Sequence, residues 1–346
     1  MHALVYAGVG NKEWTTVPDP EIEDQTDAII KVDAVTICGT DLHILKGDVP
    51  EVADGRVLGH EAVGTVVATG SAVISVSPGD RVLASCISAC GRCRYCREAS
   101  YGQCLGGGGW ILGHLTDGVQ AEYARIQFAD TSLYPLPDGV SNEQAVMLAD
   151  ILPTGYEVGV LAGRVRPGDT IAIVGAGPIG LAAIATAQLF SPSHIVAIDT
   201  ADARRRAAQD LGAMSLDPTL DDPVEVLRAV SGGLGADVAM EAVGIPETFE
   251  LCTGLVRPGG RVANIGVHGR PSTLHLEMLW IRNITITTGL VDTATTPTLL
   301  RLLGSGQLNV SSFLTHRFAL SDILQAYDVF STPSETGALK VLLTAE

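Results

Sequence analysis

Residues 171–190, IAIVGAGPIGLAAIATAQLF, constrain the fold of this chain more than any other stretch. The run is apolar over about the length of a membrane span. Gly175, Gly177 and Pro178 interrupt it after one strand's worth of β-branched residues, so a buried strand, a tight turn and a buried helix are expected. The three glycines Gly175, Gly177 and Gly180 stand in G-x-G-x-x-G spacing at that turn. Alone the motif is weak; between a strand and a helix it has a mechanism. The first glycine makes the turn, the second lets backbone approach a pyrophosphate, and the third packs helix on strand. The helix N-terminus offers unpaired N–H groups and the positive end of a dipole to phosphate. Gly175, Gly177, Pro178, Ile179 and Gly180 are therefore the expected phosphate-binding residues.

Asp199 closes the next apolar run, HIVAID, at about the distance of roughly 20 residues that a ribose-binding carboxylate requires. It can accept both ribose hydroxyls and would repel a 2′-phosphate, which favours NAD over NADP. The plain alternative makes Asp199 a helix cap ahead of TADARRR. Arg204 belongs to the same nucleotide-facing segment and leaves room for a 2′-phosphate partner; most of the Arg204–Arg206 run should be solvated.

The rest of the chain agrees with two domains, which 346 residues can supply. Before about residue 152, short strand-like runs (AIIKVDAVTIC, AVGTVVATG, GDRVLASC, QAEYARI) alternate with Gly and Pro punctuation and predict a twisted β-rich domain. Afterwards strand and helix patterns alternate through HIVAID, ADARRRAAQDLGA, ADVAMEAVG, PETFELCTGLV and GRVANIGV. That rhythm predicts an α/β, doubly wound parallel sheet. The tail ETGALKVLLTAE reads as a strand returning to the first domain.

With 22 basic and 39 acidic residues the net charge is −17. Such a surface repels phosphate backbones and anionic lipid, so neither nucleic acid nor membrane is an expected partner. The start, MHALVYAGVG, lacks the charged and apolar regions of a secretory signal, and a cytoplasmic, reducing location is expected.

In such a setting the stretch CGRCRYCREASYGQC is unlike a disulfide framework. Cys90, Cys93, Cys96 and Cys104 follow C-x2-C-x2-C-x7-C, a spacing suited to four thiolates around one Zn²⁺. Four thiolates leave no open position, so this zinc is expected to be structural and to pin the lobe at about residues 86–108.

A second constellation flanks the first: Cys38, Thr40 and His43 in ICGTDLH, His60 and Glu61 in LGHEAVG, and Asp150 in MLADILPTGY. One thiolate, one imidazole and one carboxylate can hold zinc with a fourth position open, as catalytic sites do. Taken singly, each has a duller reading. Cys38 could be a small buried hydrophobe, His60 a turn histidine and Asp150 a helix cap.

The joint pattern resembles the zinc-dependent medium-chain alcohol dehydrogenases over essentially the whole chain. GHEAVGTVVATGSAV is similar to that family's zinc signature, and the four-cysteine lobe, GDRV and GAGPIG occur in its order. ADILPTGY and GGWILGHLTDGVQAEY resemble its bacterial secondary-alcohol branch, where an aspartate replaces the third cysteine ligand. The four-cysteine lobe departs from that branch, and CGTDLH is also similar to polyol and threonine dehydrogenases. The resemblance implies a GroES-like catalytic domain of residues 1–151 with 290–346 and a Rossmann domain of residues 152–289. It implies two zinc ions per chain, the catalytic one on Cys38, His60 and Asp150, with Glu61 exchanging at the open position.

It further implies a proton path from the substrate hydroxyl through Thr40 towards His43, and hydride transfer between an alcohol and NAD. The alcohol is expected to be secondary. Within the family the alternative is a polyol or L-threonine 3-dehydrogenase; outside enzymes it is a nucleotide-binding protein that kept the fold. Trp110 would line the substrate pocket or serve as a core tryptophan, and Lys340 would reach the pyrophosphate or remain an exposed strand lysine. His43 could equally be a solvated surface histidine. The resemblance implies a dimer or tetramer of identical chains. Cys86 and Cys252 read as buried thiols, and His2, His114, His194, His268, His275 and His316 offer no ligand spacing.

Overall fold

A computed structural model describes residues 1–345. The strands are β1 (His2–Tyr6), β2 (Lys12–Thr16), β3 (Ala28–Thr36), β4 (Ala62–Thr69), β5 (Arg81–Ala84), β6 (Tyr123–Ile126) and β7 (Leu133–Pro135). There follow β8 (Thr170–Val174), β9 (His194–Ile198), β10 (Met214–Leu216), β11 (Ala236–Glu241), β12 (Val256–Asn264), β13 (Thr285–Thr288), β14 (Leu314–Ala319) and β15 (Lys340–Thr344). The chain forms two compact units, Met1–Pro153 with Asp292–Glu346, and Thr154–Val291.

The first unit is built on a sheet of order β14-β15-β3-β4-β5-β7, with β6 added to β3. Its pairings are antiparallel except β14 with β15. β3 alternates buried and more exposed residues from Ala28 to Ala34, as a strand with one wet face should, and is buried throughout at its end. Its inward residues, Ile30 and Val32, join Val66, Val82, Ile126, Tyr327 and Val341 in one core. The C-terminal strand β15 pairs Leu342, Leu343 and Thr344 with Thr36, Val35 and Ala34. The tail thus ties down the end of β3, where the chain enters the helix Gly39–Lys46.

The second unit carries a six-stranded, all-parallel sheet of order β10-β9-β8-β11-β12-β13. The order reverses between β8 and β11, which is the switch point of a doubly wound sheet. β8 is buried along its whole length, as a parallel central strand requires. The long apolar run of residues 171–190 resolves into β8, the glycine turn and the helix Pro178–Ala187. No helix among the described residues is long and apolar enough to cross a membrane.

Candidate metal centres and nucleotide loop

In the first unit three local devices deliver one donor set. Cys38 sits at the N-terminus of helix Gly39–Lys46, where its backbone N–H donates to Asp41 Oδ2 at 2.9 Å. His60 and Glu61 immediately precede β4, and Thr36 N–H donates to the Glu61 carbonyl at 3.2 Å across the β3–β4 pair. Asp150 precedes helix Ile151–Thr154, and the neighbouring Ala149 carbonyl accepts from Cys86 N–H at 3.1 Å, just beyond β5. Adjacent antiparallel strands therefore bring segments more than a hundred residues apart to one point.

The ligand atoms of Cys38, His60, Glu61 and Asp150 all lie within 4.8 Å of one another. Asp150 Oδ2 is 3.5 Å from Cys38 Sγ and 3.5 Å from His60 Nε2. Tetrahedral zinc, with bonds of about 2.0–2.3 Å, requires ligand-to-ligand edges of roughly 3.3–3.6 Å. The set fits. Glu61 Oε2 accepts from Thr36 Oγ1 at 2.6 Å and pairs with the Lys340 ammonium, while the buried Oε1 has no hydrogen-bond partner among the described residues.

Burial and mutual charge shift both donors. Burial pushes the Cys38 thiol up, and the Glu61 and Asp150 carboxylates push it further. Burial works against charge on His60, yet Asp150 and Cys38 hold its imidazole well above the usual range. A divalent ion held by these groups would reverse both directions, favouring thiolate and neutral imidazole. The other ring nitrogen, His60 Nδ1, stands 3.6 Å from Asp41 Oδ1, the usual arrangement behind a metal-binding histidine.

Thr40 Oγ1 lies 3.7 Å from Cys38 Sγ, beside this set. His43, on the same helix, is half-buried, and its Nδ1 is 2.8 Å from Asp48 Oδ2. Trp110 packs against the first unit's core and stacks on His114, centroids 4.2 Å apart, so it is a partly buried tryptophan with a ring partner. Lys340 departs from both expectations. It is 1% exposed, and its ammonium is spent on Glu61 and on the Ile37 carbonyl at 3.1 Å, not on solvent or a free phosphate contact. The reason is register: β15 is flanked by β14 and β3, which buries Lys340 beside the carboxylate of Glu61.

The four clustered cysteines converge as well. Cys96 Sγ is 3.4 Å from Cys93 Sγ and 3.9 Å from Cys90 Sγ, and Cys104 Sγ accepts from Cys90 N–H at 3.3 Å. Four sulfurs at about 2.3 Å from zinc stand roughly 3.8 Å apart. The thiols are uneven. Backbone N–H groups of Cys96 and Leu105 lower Cys93 to about 6, whereas burial and Cys93 push Cys96 up to about 12. Gly106 N–H donates to Cys104 Sγ at 3.3 Å, completing a lobe whose backbone points at sulfur.

In the second unit Gly175 takes φ +93°, the turn conformation a side chain disfavours. A Cβ on Gly180 would lie 1.9 Å from the Gly175 carbonyl oxygen, so helix Pro178–Ala187 packs against the turn itself. Gly177 caps that helix with Pro178 and Ile179 in its first turn. Asp199 follows β9 and accepts from Ala176 N–H, within the glycine turn, and from Ala201 N–H, both at 2.8 Å. The helix Asp202–Asp210 is capped at Ala201, not at Asp199, so the cap alternative falls away. Arg204 Nη1 lies 3.8 Å from Asp199 Oδ2, and Arg205 is spent on Asp217 and the Asp199 and Thr200 carbonyls.

Residues 24–138 match the alcohol dehydrogenase GroES-like domain, and residues 178–305 match the zinc-binding dehydrogenase family model. An alcohol dehydrogenase from Cupriavidus necator is 36% identical, covering 99% of this chain and 98% of its own. The chain belongs to the zinc-dependent medium-chain alcohol dehydrogenases. Among solved members, zinc dependent alcohol dehydrogenase 2 from Streptococcus pneumonia (apo form) superposes with TM-score 0.95 at 45% identity, covering 100% and 99% of the two chains. The alcohol dehydrogenase TADH from Thermus sp. ATN1 gives 0.94 at 37% identity, with both chains fully covered. As a member of this family the chain is an enzyme, an oxidoreductase.

Reading the sequence missed several residues around these sites. Asp41 carries a signal, since C-x-x-D ahead of a helix is a capping-box pattern. Gln120 and Tyr327 carry none; Tyr327 Oη donates to Gln120 Oε1 at 2.8 Å, and Gln120 Nε2 to Asp41 Oδ2 at 3.1 Å.

Proposed function

We propose that this dehydrogenase oxidises secondary alcohols to ketones, and runs the reverse reaction, with NAD as the hydride carrier and two zinc ions per chain. The observation that carries the reading is the convergence of Cys38, His60 and Asp150 with spacings that fit one tetrahedral ion. Cys38, His60 and Asp150 would hold the catalytic zinc, and Cys90, Cys93, Cys96 and Cys104 the structural one.

When bound, zinc supplies a Lewis acid able to lower a hydroxyl pKa from about 16 towards about 7, and nicotinamide supplies the hydride acceptor. Thr40 Oγ1 would accept the substrate's hydroxyl proton while its own hydroxyl proton passes on, through the cofactor ribose, towards His43. His43, whose Nδ1 is held by Asp48, keeps Nε2 available to hand a proton to solvent. Glu61, whose Oε1 has no hydrogen-bond partner among the described residues, would supply the ion with an exchangeable carboxylate. Trp110, stacked on His114, is assigned to the substrate pocket. Gly175, Gly177, Pro178, Ile179 and Gly180 bind the pyrophosphate. Asp199 takes the ribose hydroxyls, with Arg204 beside it. The domain division assigned is residues 1–151 with 290–346 for catalysis and 152–289 for nucleotide.

The chain is further assigned to a homo-oligomer in the cytoplasm. Leu276, Met278, Trp280 and Ile281 are 61–71% exposed next to the edge strand β13, an apolar surface that supports self-association.

A panel of secondary and primary alcohols, sugar alcohols and threonine, each with NAD and NADP and followed by nicotinamide absorbance, tests the reading. Turnover is expected with secondary alcohols and NAD, and Asp199→Gly should shift preference towards NADP. Wild-type preference for NADP, or turnover of threonine or polyols alone, overturns the corresponding part.

A further inference from the structure

Glu241, the last residue of β11, is a buried carboxylate outside both thiol sites and the glycine turn. Its Oε1 accepts from Val243 N–H at 2.8 Å, Gly244 N–H at 2.9 Å and Thr248 Oγ1 at 2.7 Å. Its Oε2 has no hydrogen-bond partner among the described residues and faces His268 Nε2 at 3.4 Å. The Glu241 carbonyl accepts from Ile265 N–H at 2.8 Å and Gly266 N–H at 3.1 Å. A Cβ on Gly266 would lie 2.4 Å from Oε2. One residue is thereby tied to the loop after β11 and to the loop after β12.

His268 is itself fixed. Nε2 is 2.9 Å from Asn264 Oδ1, Nδ1 is 3.1 Å from Ser272 Oγ, and the ring meets Phe249 edge-on. Asn264 ends β12 and donates from Nδ2 to the Gly266 carbonyl at 3.0 Å. Burying a carboxylate with one oxygen unsatisfied is costly, and such groups persist where the surroundings need them.

The place is informative. A doubly wound sheet receives a dinucleotide at the carboxyl ends of its strands, across the switch point. The glycine turn after β8 and Asp199 after β9 lie on one side of that point; Glu241 after β11 and Asn264 after β12 lie on the other. The two sides touch, since a Cβ on Gly175 would lie 2.6 Å from Val243 Cγ2. If pyrophosphate and adenosine take the first side, the nicotinamide half falls to the second.

We propose that Glu241 and His268 form a positioning pair that holds the loops 242–248 and 264–268 in the shape that receives the nicotinamide half of the dinucleotide. The pair acts through loop backbone, not on reacting atoms. This rests on the dinucleotide reading above.

The test uses the full-length, zinc-loaded chain, titrated with NADH and with ADP-ribose, which lacks the nicotinamide ring. Glu241→Gln retains an acceptor for Val243, Gly244 and Thr248 but replaces the carboxylate oxygen facing His268 Nε2 by a neutral N–H donor. His268→Ala removes the other partner and serves if the first variant melts without cooperativity. Each is expected to weaken NADH about five- to tenfold, with ADP-ribose changed less than about twofold. The double variant should be no weaker than the worse single one. Equal loss of both ligands, or unchanged NADH binding, overturns the pairing while wild type still binds both. A wild-type chain that binds neither ligand overturns the dinucleotide reading and this inference with it.

Discussion

Lys340 and Glu61 form an ion pair in which both side chains are 1% exposed. The lysine also donates to the Ile37 carbonyl at 3.1 Å, and the glutamate accepts from Thr36 Oγ1 at 2.6 Å. Burial works against the ammonium's charge, but Glu61 and Cys38 hold its pKa above the ordinary value. Removing one partner of such a pair leaves an uncompensated buried charge. Lys340→Met is therefore expected to lose about 3–5 kcal/mol of stability, and the double variant with Glu61→Gln less than the sum of the singles. Denaturant unfolding measures both. Additive losses would show that the two side chains do not depend on each other.

A line of hydrogen bonds runs from Tyr327 through Gln120 to Asp41, whose Oδ1 stands 3.6 Å from His60 Nδ1. Groups that orient a metal-binding histidine typically contribute about 10–100-fold in metal affinity. Asp41→Ala should fall in that range, and Tyr327→Phe, two links away, should lose less than about tenfold. Competition with a chromophoric zinc chelator reads both affinities. Unchanged affinity in Asp41→Ala would show that Asp41 does not orient His60 for the ion.

What the sequence makes legible here is whatever short-range spacing encodes. The strand, turn and helix around Gly175 follow from composition and three glycines, and the four-cysteine lobe lies within fifteen consecutive residues, 90–104. Cys38, His60 and Asp150 come together because β3 pairs with β4 and Ala149 meets Cys86; periodicity does not show which strands pair, so only resemblance joined them. Lys340 was the instructive miss. As one charged residue in an apolar tail it reads as exposed or ligand-seeking, but β15 enters the sheet between β14 and β3 and carries it inside. The relation of Glu241 to His268 is likewise illegible in the sequence, because it depends on parallel register between β11 and β12.

The two metal sites should come apart by mutation. Cys93 Sγ accepts from Cys96 N–H at 3.5 Å and Leu105 N–H at 3.4 Å, so it is the thiol best prepared to bind as thiolate. Cys93→Ser is expected to leave one zinc per chain and to lower the melting temperature by several degrees, since zinc binding and folding of such lobes are coupled. Asp150→Ala should also leave one zinc, now in the thiol lobe, with the melting temperature nearly kept and activity lost. Elemental analysis with calorimetry separates them. Two zinc ions in Asp150→Ala would count against Asp150 as a ligand.

Arg317 grips Glu143 with two bonds, Nε to Oε1 at 2.8 Å and Nη2 to Oε2 at 2.9 Å, joining β14 to the helix Asn142–Ala145. The guanidinium bonds hold the Glu143 carboxyl below the usual glutamate range, against a smaller opposing effect of burial. A carboxyl whose pKa is lower folded than unfolded adds stability above its unfolded pKa of about 4.3, and that share is lost as pH falls through the folded value. Both side chains are about half exposed, 44% and 58%, so solvent screens the pair. Glu143→Gln should therefore cost less than about 1 kcal/mol at pH 7, and less again in high salt. Below the folded pKa, wild type and variant should converge, because the wild-type carboxyl is then neutral too. Denaturant midpoints at neutral and acid pH, each at low and high ionic strength, measure the difference. A gap that survives both acid and salt would mean that the glutamate contributes by something other than its charge.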